Sequence, residues 1–182
     1  QQMIPHGCIK ENGPDSRQNT NPQLIWRLRQ MDRISLDGQW QLTYFPQNEH
    51  EIKHPSDLHQ YSFPIIPARV PGNVELDMVR AGVMQDPFYA NNIRQLRPYE
   101  FHEYWYERDF NLPKEAANQP WNIHFYGLDT IAQVWINDIP VGKSGNMLVE
   151  HQFDVTEALR PGTTNHIVVQ IKSSVIEAMH HT

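Results

Sequence analysis

Three sets of side chains in this 182-residue chain have the type and spacing to do chemistry. The first is carboxylates: Glu75 with Asp77, Glu100 with Glu103, and Glu103 with Glu107. General acid/base cleavage of a glycosidic bond needs such a pair, about 5–5.5 Å apart for retention or 6.5–9.5 Å for inversion. Alternate residues on a strand share a face, so Glu103 and Glu107 can point together. A solvated strand face explains them equally well and is the simpler reading, so no catalytic residue is assigned. The second set is histidine. His50, His54 and His59 are the tightest group, at spacings of four and five. No helical apolar stripe aims them at a common point, as a metal site requires. They read as solvated loop histidines, and neither a metal site nor a cofactor is expected. The third set is Trp40, Trp105, Trp121 and Trp135, whose indoles offer faces for the C–H side of a sugar ring. Each lies in a strand-like run, where a large aromatic belongs more often to the core.

Composition narrows the classes. A formal net charge of −6 and the absence of a Lys/Arg cluster argue against a nucleic-acid partner. No apolar run approaches the roughly 18 residues of a membrane helix. The single cysteine, Cys8, cannot form an internal disulfide. The chain opens on Gln1-Gln2 with no charged-then-apolar leader, and the expectation is an exported protein whose signal peptide has been removed.

The elements that must position these side chains are mostly strands. Residues 121–126 alternate Trp121, Ile123 and Phe125 against Asn122, His124 and Tyr126, the period of two of a strand with one buried face. A second apolar run covers residues 131–136. Asn137-Asp138 follows, where a two-residue hairpin turn is wanted. Residues 139–143 return, and residues 147–153 read as another strand. Further strands are expected over residues 34–45, 104–110 and 166–172, with about eight strands in all. Prolines and Gly72 bracket a short extended piece in residues 64–74, suited to a sheet edge. Asn73 caps one short helix over residues 74–81, with Leu76, Val79 and Arg80 on one face and Gly82 as its stop. Phe125, Val134, Ile136, Phe153 and Val169 fall on the apolar phase and are expected in the core. Residues 1–32 read as a peripheral arm, because residues 10–23 carry no large apolar side chain. Residues 33–174 form the domain, and residues 175–182 read as an exit linker.

Several stretches resemble a known family. Gly127-Leu128-Asp129, Val134-Trp135-Ile136-Asn137-Asp138, Val141-Gly142 and Phe153-Asp154-Val155-Thr156 are similar to the N-terminal domain of glycoside hydrolase family 2. The Leu36-Asp37-Gly38-Gln39-Trp40 opening resembles that domain's start. A further block runs from Val70-Pro71-Gly72-Asn73 through Asp86-Pro87-Phe88-Tyr89 and Asn92 to Trp105-Tyr106-Glu107-Arg108-Asp109-Phe110. Its order is most similar to the family's β-mannosidases. The resemblance implies an all-β fold, an antiparallel jelly-roll sandwich of the galactose-binding-domain-like kind, often called the sugar-binding domain. It implies a catalytic pair of glutamates on a β/α-barrel elsewhere in the parent chain, with immunoglobulin-like domains as further partners and a carbohydrate substrate. It also implies that Asn92, and less directly Asp86, lie on a loop bordering the sugar pocket. A turn role, each satisfying local backbone, competes for both residues. A β-galactosidase, a β-glucuronidase or a free-standing carbohydrate-binding module is the alternative to the β-mannosidase-like reading.

Overall fold

The computed structural model describes residues 7–11, 33–117 and 119–179. Among these residues ten strands run in chain order: β1 Gly7–Glu11, β2 Arg33–Ser35, β3 Gly38–Pro46, β4 Ile65–Val70, β5 His102–Leu112, β6 Trp121–Phe125, β7 Ala132–Ile136, β8 Ile139–Ser144, β9 His151–Asp154 and β10 Thr163–Ile171. They form a four-stranded sheet in the order β2-β1-β6-β9 and a six-stranded sheet in the order β4-β3-β5-β10-β7-β8. Every pairing is antiparallel.

One core fills the space between the sheets. Ile9 and Ile123 from the smaller sheet, and Leu42, Tyr106, Val134, Ile136 and Val169 from the larger, are fully buried there. The β7–β8 turn is built by Asn137 and Asp138 at φ of 52° and 65°, the left-handed pair of a type I′ hairpin. Asn137 also acts as a spacer. Its Nδ2 donates to Ala158 O at 2.8 Å and to Asn165 Oδ1 at 2.9 Å, and its Oδ1 accepts from His166 N at 3.0 Å. The aromatic set is core, as the strand pattern suggests: Trp40, Trp105, Trp121 and Trp135 are all buried. Trp40 Nε1 donates to Leu36 O and Trp121 Nε1 to Ala116 O, at 2.8 and 3.1 Å.

The outer face of the large sheet carries a second, smaller apolar cluster. Trp105 stacks on Trp135 with centroids 5.4 Å apart, beside Phe45, Leu58 and Val168. The segment from 47 to 63 closes over it and contains a 3-10 helix, Pro55–Gln60. Strands β5 and β10 are therefore buried on both faces, and period-two reasoning sees only one of them.

Several expectations need correction. The arm reading fails for residues 7–11: β1 lies between β2 and β6, with Cys8 and Ile9 buried. Five residues with little apolar mass gain their place from ladder hydrogen bonds on both sides, a non-local pairing that composition cannot reveal. Residues 12–32 lie outside those described. The expected exit linker begins with an α-helix, Ser174–Met179, which follows α1, Val74–Arg80; we call it α2, so the described residues hold two short α-helices where one was expected. The phase of α1 also differs, since Val74, Asp77 and Met78 are buried while Leu76 is exposed. The strand expected over residues 147–153 is confined to β9, and Phe153 is half-buried. Glu103 is buried rather than solvated, its Oε2 accepting from Gln170 Nε2 at 2.6 Å.

Candidate functional site

Strand register gathers several connections at one end of the sandwich. Tyr104 of β5 stands opposite Ile171 of β10, Ile171 opposite Ala132 of β7, and Ala132 opposite Ser144 of β8. The segment entering β5, the 126–131 turn entering β7, the 145–150 loop leaving β8 and the helix α2 after β10 thus share that end.

The longest of these connections starts from a tight turn. A Cβ on Gly72 would lie 2.3 Å from Arg69 O, so only glycine lets the chain turn there. Asn73 then caps α1, its Oδ1 accepting from Leu76 N at 2.9 Å. Asp77 fastens the helix to β4: its Oδ1 accepts from Arg69 N and from the Arg80 guanidinium. Burial pushes the Asp77 carboxyl up, against the opposing pull of Arg80. After Gly82, at φ 73°, the loop buries Met84 and Pro87 and otherwise runs largely exposed. Asp86 Oδ1 accepts from Phe88 N at 2.9 Å, an Asx turn. Asn92 Nδ2 donates to Asp86 O at 3.0 Å. The structure thus brings the two expected pocket residues into direct contact. Their observed bonds are those of turn residues, and they hold up a loop tip on which Phe88 and Tyr89 are 78% and 74% exposed.

The 145–150 loop is held from beneath. His151 Nε2 lies 2.7 Å from Asn146 O and 2.8 Å from Ser144 Oγ. A serine beside a histidine invites a nucleophile–base reading. The carbonyl can only accept, so Nε2 carries the hydrogen and is not free to take a proton from Ser144. The pair is a staple for the loop. Thr130 Oγ1 donates to Asp129 Oδ1 and approaches Met147 Sδ at 3.7 Å, tying the 126–131 turn to that loop. Above the staple, Leu148 is 86% exposed, with Met147 and Val149 beside it also exposed.

A buried polar layer backs the loop end. Tyr104 OH donates to Tyr99 O at 2.7 Å, and burial drives the Tyr104 and Tyr106 hydroxyls above the ordinary tyrosine range. Tyr106 OH, Asp77 Oδ2 and Glu75 Oε2 are buried there without a hydrogen-bond partner among the described residues. Sequence patterning missed this layer because Asp77 lies in a helix read by its apolar phase.

The other candidates do not converge. Asp77 is held by Arg80 and Glu103 by Gln170, while Glu107 and Asp109 flank His166. His50 packs against Tyr61 and Phe63, whereas His54 and His59 are exposed at the 3-10 helix. Among the described residues no group of three or more His, Cys, Asp or Glu is placed to hold a metal ion.

A two-sheet antiparallel sandwich with its elaborated loops at one end is the architecture of galactose-binding-like domains. The family described as glycosyl hydrolase 2 galactose-binding domain-like matches residues 40–182, and the chain belongs to it. The β-mannosidase of Mus musculus is 31% identical over 111 residues, covering 60% of this chain and 12% of that protein. The β-mannosidase of Capra hircus is 33% identical over 116 residues, covering 62% and 13%. Among solved structures, the β-D-mannosidase of Dictyoglomus thermophilum superposes with a TM-score of 0.67 at 25% identity, over 81% of this chain and 16% of that one. A β-glucuronidase of Ruminococcus gnavus shares the fold, with a TM-score of 0.54 at 20% identity over 76% of this chain and 21% of that one. The chain therefore spans only about an eighth of the β-mannosidases it matches in sequence.

Proposed function

We propose that this domain serves a β-mannosidase-like glycoside hydrolase, presenting its loop end to a catalytic domain that carries the acid and the nucleophile. One observation carries the reading. Met147, Leu148 and Val149 are exposed apolar side chains on the loop leaving β8 at that end, and Phe88, Tyr89 and Ile93 are exposed on the segment that enters β5 there; exposed apolar side chains of this kind mark an interaction surface. The 81–101 loop there holds Asp86 and Asn92 at its turn, so docking of a partner domain puts both at the rim of the space between them. Asn92 supplies a hydrogen bond to substrate, and Asp86 fixes the loop that carries it.

Two assays test this. The isolated 182-residue chain is expected to hydrolyse no aryl β-mannoside, because Asp77, Glu103 and Glu107 are each held by a protein partner. Turnover abolished by changing a carboxylate of this chain would overturn the ancillary role. In an enzyme containing the whole domain, Asn92→Ala is expected to lower kcat/KM about 10-fold, the worth of one hydrogen bond made or strengthened in the transition state. Unchanged kinetics would remove Asn92 from the pocket. A preference for aryl β-galactosides or β-glucuronides over β-mannosides would move the enzyme to another branch of the family.

A further inference from the structure

The outer face of the six-stranded sheet holds a groove of about 620 Å³, away from the loop end. That volume is within the usual range for small-ligand sites. Its floor is strand. Gln41 of β3 stands opposite Glu107 of β5, and Asp109 of β5 stands opposite His166 of β10. Alternation puts Gln39 on the same face as Gln41, and both are exposed. The His166 ring lies between the two carboxylates, Nδ1 at 2.7 Å from Asp109 Oδ1 and Nε2 at 3.5 Å from Glu107 Oε2. These three side chains hold one another in place.

One wall is Ile65, 59% exposed. A smaller hollow of about 240 Å³ shares Ile65 and Glu107 with the groove and reaches Tyr61 and Phe63. Those rings lie 5.3 Å apart, and Tyr61 is exposed. The two hollows form one trough with a polar floor and an aromatic end.

The chemistry selects an occupant. Carboxamides and carboxylates present two polar atoms in one plane, a match for vicinal hydroxyls that both donate and accept. The exposed ring and Ile65 suit the apolar C–H face of a pyranose. Glu107 and Asp109 are offset on the lining by Arg108 and by the His166 ring between them, so the floor carries no net positive charge to draw a polyanion. An amphipathic peptide helix would want a continuous apolar stripe, and this floor is polar. We propose that the trough binds a neutral glycan chain, at a site separate from the loop end. The choice of sugar as ligand rests on the glycoside hydrolase reading above.

The test is titration of the 182-residue chain with β-1,4-mannotetraose, followed by amide and side-chain NMR. The dispersed spectrum of the unliganded chain reports that it is folded. Resonances of Gln39, Gln41 and His166 are expected to move while those of residues 81–101 stay. Gln41→Ala and Tyr61→Ala, both exposed substitutions, are each expected to weaken binding about fivefold, the loss of one hydrogen bond or ring contact of roughly 1 kcal/mol. An oligogalacturonate of equal length is expected to bind no more tightly than the neutral chain, since the floor carries no net positive charge to reward its carboxylates. No movement at millimolar mannotetraose, movement indifferent to both substitutions, or tighter binding of the acidic chain would each overturn the proposal. A silent trough alongside an Asn92→Ala defect in turnover would refute this site and leave the family reading standing.

Discussion

His166 is the side chain whose protonation the fold controls most visibly. Its hydrogen bond to Glu107 raises its pKa above 6.5, and that to Asp109 adds to it, against the opposing effect of burial. A group whose pKa is raised on folding contributes stability that is fully present below about pH 6.5. That contribution is lost as pH rises through the folded-state value. An NMR titration is expected to place the His166 midpoint above 6.5, and Asp109→Asn to lower it. A midpoint at or below 6.5 in the unmodified chain would contradict the clamp geometry. Asp77 makes the complementary point. It is fully buried, and its Oδ1 serves both Arg69 N and Arg80. Asp77→Ala removes the acceptor of the Arg69 N–H and of the Arg80 guanidinium and leaves a hollow at a fully buried position, and is expected to cost about 1–3 kcal/mol in urea unfolding. Asp86 and Asn92 were visible in the sequence as turn-forming residues, and their mutual contact was not. That contact depends on how residues 87–91 coil, which no periodicity encodes.

At the scale of elements, the two sheets meet at an edge through a glycine and a ring. A Cβ on Gly142 of β8 would lie 2.3 Å from the Phe153 ring of β9. Gly142→Ala is therefore expected to destabilise by about 1–3 kcal/mol, as overpacking does. Because the two sites touch, Gly142→Ala combined with Phe153→Ala is expected to cost less than the sum of the single changes. Additive costs in denaturant unfolding would show that the ring moves aside freely. Phe153 is only half-buried, so Phe153→Ala alone is expected below the roughly 3–5 kcal/mol of a fully buried phenylalanine. Phe125→Ala, at 1% exposure, falls within that range. The strand runs in residues 121–136 and 163–171 could be read because alternation and β-branching coincide there. Strand β1 could not be read. Its evidence is a ladder with residues more than a hundred positions away, and its own five side chains carry no pattern long enough to count.

Across the whole molecule, the asymmetry between the two ends was partly legible. The resemblance around Asn92 implies a loop near a pocket, and the strand register brings the segment entering β5 to the same end as the 145–150 loop. The outer trough was not legible, because Gln39, Gln41, Glu107 and Asp109 look like ordinary solvent-facing strand residues until β3, β5 and β10 lie side by side. Ile9 gives the molecular-scale prediction. It is fully buried in the middle of the smaller sheet, and Ile9→Ala is expected to cost about 2–5 kcal/mol. Thermal unfolding that remains a single transition at lowered Tm would mark β1 as part of the one cooperative unit. An unchanged Tm would mean that the sheet closes without it.

The position of β1 also sets a timetable for biosynthesis. Glu11 pairs with Trp121, so the first strand is made long before the strand that will hold its far side. At about 5–20 residues per second on the ribosome, roughly 5–20 s separate the two. During that wait β1 can pair only with β2, and the smaller sheet has no centre. Pauses in translation between residues 33 and 121 lengthen the exposure of that unpaired edge, and chaperone demand should rise with them.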